Sequence, residues 1–128
     1  MNARPALMTA AVLGCLAVAA GAFGAHGLAA RVDADALGWW KTASAYQLAH
    51  AVVLVALATS GATSRPMVRR AFLCFVAGVV IFSGTLYAMT LGAPRWMGMV
   101  TPVGGLALIA GWACLAVAGY RGVEPRGE

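Results

Sequence analysis

Apolar residues run almost unbroken through four stretches of the chain, 6–25, 40–60, 71–91 and 102–120, with polar and charged residues gathered between them. Each stretch is close to the roughly 20 residues that a helix needs to cross a hydrocarbon core of about 30 Å. Their boundaries carry helix punctuation. Asp33 is placed to cap a helix beginning at Ala34, with Asp35 in its first turn, where a carboxylate meets the positive end of the helix dipole. That helix runs through Trp39 and Trp40 into the second stretch, so its first turns belong in the interface, where paired tryptophans suit the aromatic belt. Thr101-Pro102 offers the fourth stretch an N-cap and a proline at its first helical position. GATSRP at 61–66 reads as a short turn. The first stretch loosely resembles a secretory signal, but its apolar run exceeds the usual h-region and three more spans follow. A retained first helix is expected.

Within the stretches, residues sort by face at about 100° per residue. Ala10, Gly14, Ala17, Gly21 and Gly24 form one stripe of small side chains; Ala77, Gly84 and Ala88 form a second; Gly104, Ala107, Gly111, Cys114 and Ala118 form a third. Lipid removes most of the hydrophobic incentive for helices to associate, so close backbone approach at small residues has to supply it. Gly14, Gly21, Gly84, Gly104 and Gly111 are therefore expected at helix contacts. The second stretch differs, with Tyr46, Gln47 and His50 on a face that turns apolar at Leu54 and Leu57, and the third carries Ser83, Tyr87 and Thr90. Polar side chains in hydrocarbon are costly, so these two faces should turn inward. Together Tyr46, Gln47, His50, Ser83, Tyr87 and Thr90 predict an outward-facing polar pocket with a dry floor. They fall short of the full-length polar lining that a standing aqueous pore needs.

Composition agrees with a lipid environment: 62% of the 128 residues are hydrophobic, 10% are charged, and mean hydropathy is +0.83. The formal charge of +5 comes from basic residues at the ends of the apolar runs, where they anchor helices; a nucleic-acid partner is not expected. Arg4, Arg65, Arg69, Arg70, Arg121 and Arg126 fall at one end of the bundle, against Arg31, Lys41 and Arg95 at the other. The positive-inside rule then places both termini in the cytoplasm. The expected fold is an all-α, integral membrane four-helix bundle in the plasma membrane (the inner membrane of a bacterium), with 1–128 as a single transmembrane domain.

Four ordered motifs, GAFGAHGL, WWKTASAYQLAHA, FSGTLYAMTLG and TPVGGLALIAGW, together resemble the membrane family catalogued as domain of unknown function 423. The resemblance covers about 13–112 and implies a four-helix membrane fold. The family has no established activity, so it transfers no catalytic residue.

Chemistry in the spans is sparse. Cys15, Cys74 and Cys114 lack zinc-ligand spacing and are expected to pack as small apolar side chains. His26, among glycines at the outer end of the first helix, reads as an imidazole tied to freed backbone carbonyls, with Gly24 and Gly27 leaving the helix at positive φ. His50 lies roughly 15 Å below Trp40 at helical rise, near the midplane. It either holds two helices in register or serves a solute or proton. A similar axial offset separates it from His26, which excludes a shared haem iron; no cofactor and no metal is expected. No nucleophile–base pair or carboxylate dyad points to an enzyme, so no catalytic residue is assigned. The leading expectation is a non-enzymatic packing or accessory protein whose partners are membrane lipid and either a second copy or another membrane protein. The alternative is a small-solute or proton-coupled transporter using the pocket around His50.

Overall fold

All four apolar stretches are helices in the computed structural model, which describes residues 1–122. α1 spans Ala3–Phe23 and continues without a break through a wider turn of π geometry at Gly24–Leu28; α2 spans Ala34–Thr59, α3 Pro66–Thr90 and α4 Thr101–Gly122. Each is longer than its apolar stretch, α2 and α3 by more than a turn at their N-terminal ends and α4 by only three residues. Asp33 caps α2 as its position predicts, its Oδ1 accepting from the Ala36 N–H at 2.8 Å. Thr101 does not cap α4: its hydroxyl is engaged with Thr85 of α3 at 2.8 Å, and a 3₁₀ turn at Arg95–Met99 leads into the helix instead. Gly61 (φ 69°) ends α2 and Gly92 (φ 100°) follows α3, the two positions among the described residues where the chain takes a left-handed turn.

Cross-links between consecutive helices run antiparallel, so the chain alternates direction. Gln47 reaches Leu13, Ser83 reaches Ala43, and Arg65 reaches Ala118. Arg4, Arg65, Arg69, Arg70 and Arg121 thus share one end, and Arg31, Lys41 and Arg95 the other; Arg126 lies outside the described residues. α1 packs chiefly on α2, α2 on α3, and α3 on α4. The apolar core occupies the arginine-bearing half, where Ala6 and Ala10 of α1, Leu54 and Ala58 of α2, and Phe72 and Phe75 of α3 come together.

α3 and α4 make the closest crossing, and glycine on both helices permits it. A Cβ on Gly104 would strike the backbone of Phe82, and one on Gly78 would stand 2.9 Å from the Leu108 backbone nitrogen. Gly111 lies beneath the Phe75 ring, and Gly14 faces Ala51 across ordinary contact distance. Two of the expected contact glycines are corrected. Gly21 and Gly84 are exposed with nothing within 4 Å of a Cβ, because their faces of α1 and α3 turn to lipid.

The turn at GAFGAHGL also departs from expectation. Gly24 keeps a right-handed φ of −59°, and neither Gly24 nor Gly27 is among the positive-φ residues. What these glycines supply is room: a Cβ on Gly24 would fall 2.6 Å from the Trp40 ring, and one on Gly27 would fall 2.7 Å from the Phe23 ring.

Candidate functional site: the polar residues between the helices

Trp40 leads the polar face of α2. Its indole Nε1–H donates to the Ala20 carbonyl at 2.7 Å, while the ring lies 4.5 Å from Tyr87 and 5.6 Å from Phe23. Gly24 clears the path for that indole. Two turns deeper, Gln47 bridges three helices: its amide donates to the Leu13 carbonyl of α1 at 2.8 Å, and its Oε1 accepts from the Tyr87 hydroxyl of α3 at 3.0 Å. Both ends of the amide are matched, which fixes its orientation. Ser83 donates to the Ala43 carbonyl at 2.8 Å and Thr90 to the Ala36 carbonyl at 3.0 Å, so α3 is pinned to α2 at two levels.

His50 faces a different cleft. Its ring is buried beside Phe75 and Trp112, with centroids 5.4 and 6.2 Å away. Nδ1 lies 2.8 Å from the Tyr46 carbonyl, which can only accept, and Nε2 lies 3.3 Å from the Trp112 indole N–H, which can only donate. These partners select the tautomer with hydrogen on Nδ1. Tyr46 is 45% exposed, its ring against Phe82 at 4.7 Å. His26 is exposed at the outer end of α1.

The six residues expected to line one pocket therefore divide. Gln47 and Tyr87 meet between α1, α2 and α3. Ser83 and Thr90 attach to backbone of α2, His50 reaches Trp112 of α4, and Tyr46 lies against Phe82 of α3. Among the described residues every buried side-chain nitrogen and oxygen has a hydrogen-bond partner. Gln47, His50, Ser83, Tyr87 and Thr90 each carry a bond to a neighbouring helix.

Residues that sequence reasoning passed over take part. Trp40, expected in the interfacial belt, instead sits on the helical face of Ala43, Gln47 and Leu54, a signal legible in the spacing. Thr85 and Thr101 form a buried hydroxyl pair between α3 and α4. Trp39 stays at the outer end, with the Arg95 guanidinium 5.8 Å above its ring. No three metal-ligating side chains converge among the described residues, and the cysteines are free thiols on three different helices.

Four antiparallel apolar helices joined by internal polar bonds define a polytopic α-helical membrane protein. The chain belongs to the family described as Protein of unknown function (DUF423), which matches residues 20–105. A relative in Escherichia coli K12, UPF0382 inner membrane protein YgdD, is 38% identical over 94% of this chain and 93% of its own. A UPF0382 membrane protein of Haemophilus influenzae is 35% identical, covering 90% and 93%. UPF0382 membrane protein SSP2132 of Staphylococcus saprophyticus is 40% identical over 83% and 88%. No solved structure matches this chain. The four spans and these relatives make it a multi-pass protein of the bacterial inner membrane.

Proposed function

We propose that this chain is a non-enzymatic membrane protein that acts by association, using a rigid four-helix frame to present its outer faces to another membrane component. The observation that carries this reading is the closure of the interior polar groups: every buried side-chain donor and acceptor among the described residues is matched within the bundle. A carrier needs polar groups free to exchange partners with a solute, and an enzyme needs a group free to meet a substrate. Here Gln47, His50, Ser83, Tyr87 and Thr90 are each bonded across helices. Large apolar side chains meanwhile cover the outside of α4, with Leu106 and Ile109 each 65% exposed.

Reconstitution into liposomes tests the reading. Parent and His50→Gln should show the same basal permeability to protons and to a panel of small solutes, indistinguishable from protein-free vesicles. Flux that appears with the parent and disappears in a well-folded His50→Gln variant would overturn the association reading and make the bundle a carrier.

A further inference from the structure

α1 and α3 both pack against α2, and between them a furrow opens toward lipid. It has two lobes. The inner lobe, about 180 Å³, lies between Pro5 and Phe72 and Leu73. The next, about 340 Å³, lies between Met8 and Val12 on one wall and Val80 on the other. Thr9 and Val76 line both, so the lobes are continuous. The walls are apolar and open to the membrane: Met8 is 68% exposed and Val80 58%.

An arginine stands at the head of each wall. Arg69 precedes Phe72, Leu73, Val76 and Val80 at helical spacing, and Arg4 precedes Met8 and Val12 by one and two turns. Both arginines are exposed at the arginine-bearing end. No carboxylate lies at that end among the described residues; Asp33 and Asp35 are at the opposite one. From Arg69 to Val80 the furrow runs roughly 16 Å at helical rise, about half of a hydrocarbon core of about 30 Å. That is the depth of one lipid leaflet.

We propose that this furrow is a binding site for a single anionic phospholipid, its phosphate held between Arg4 and Arg69 and one acyl chain laid along the α1–α3 furrow to Val80. A guanidinium presents paired donors that match a phosphate, and two of them favour a lipid with net negative charge over a zwitterion. A second copy of the chain fits less well. Parallel copies meeting at this face bring Arg4 and Arg69 against their own counterparts, a like-charge contact that costs binding.

The test uses the full chain purified in detergent. Native mass spectrometry and thermal melting are recorded with phosphatidylglycerol and with phosphatidylcholine of the same acyl chains. Phosphatidylglycerol should stay bound as a one-to-one adduct and raise the melting temperature; phosphatidylcholine should do neither. Arg4→Gln and Arg69→Gln should each weaken retention roughly fivefold, and together roughly 25-fold. Val76→Trp, which blocks the furrow where its lobes join, should abolish retention with both arginines intact. Arg70 sits beside Met67 on another face, 3.8 Å from its Sδ, so Arg70→Gln should retain the lipid. Melting without lipid reports folding of each variant, and if the double arginine variant does not fold, Val76→Trp decides. Equal retention of the two lipids overturns the site, as does a Val76→Trp protein that binds like the parent. So does an Arg70→Gln loss equal to that of Arg69→Gln, or competition by soluble glycerol phosphate alone. A lipid-free dimer formed at this face would replace the lipid with a second copy and overturn the proposal too.

Discussion

His50 has one hydrogen to donate and one lone pair to fill, and the structure gives each a partner of the right kind. The Trp112 bond is long at 3.3 Å, so its share of the stabilisation is modest. Loss of the whole imidazole is a different matter. His50→Leu leaves the indole N–H of Trp112 unpaired beside a buried aromatic cluster, at about 1–3 kcal/mol. His50→Gln keeps a donor and an acceptor at this position and should cost less than half as much. Thermal melting in detergent ranks the two, and a His50→Leu protein that melts with the parent would show that the ring bonds nothing of consequence.

At the scale of the helices, glycine means two different things in this bundle. Gly104 is where α4 crosses the backbone of α3, so Gly104→Ala forces the helices apart and should destabilise by about 1–3 kcal/mol. Gly84 faces open space, so Gly84→Ala adds a helix-favouring methyl without a clash and should stabilise by up to about 1 kcal/mol. Opposite shifts in melting temperature are expected, and equal shifts would remove Gly104 from the interface. This contrast also marks what could be read from the chain alone. Helix number, helix starts such as Asp33, and the inward turn of Gln47, Ser83, Tyr87 and Thr90 were legible, because unpaired polarity in hydrocarbon is costly enough to dictate direction. Small-residue faces were not. Lipid is as apolar as a helix neighbour, so periodicity marks a smooth face without saying what lies against it. Gly21 and Gly84 lie on such faces with nothing against them, while Gly78, which meets Leu108, sits among bulky neighbours in the sequence. Trp40 misled because an indole suits an interface and a helix seam equally well. The division of the polar set, with His50 turned to Trp112 of α4 and Tyr46 to Phe82 of α3, depends on where those rings arrive, and single-helix spacing cannot supply that.

For the molecule as a whole, the charges at its two ends predict an orientation in the membrane. Five described arginines at the end bearing the N-terminus and the α2–α3 turn, against three basic residues at the other, favour a cytoplasmic N-terminus. In a background with Cys15, Cys74 and Cys114 replaced by alanine, a thiol introduced at Ala93 should react with a membrane-impermeant maleimide added to intact cells. A thiol at Ser64 should react only after the membrane is opened. The reverse pattern would invert the topology. Arg65 adds a second use to this charged end, since its Nη2 donates to the Ala118 carbonyl at 2.9 Å and covers the negative end of the α4 dipole.

Five of the bonds between helices share a chemical asymmetry. Trp40, Gln47, Ser83, Thr90 and Arg65 donate, and the acceptors are the main-chain carbonyls of Ala20, Leu13, Ala43, Ala36 and Ala118. No amino-acid replacement deletes a carbonyl. The mutational target of each bond is therefore one codon instead of two, and the accepting residue is free to drift in size and shape as far as packing allows. A lineage can rewrite much of the surface of α1 and α4 while the register of the helices stays encoded in a few donors, which is an economical way for a small membrane protein to keep its shape.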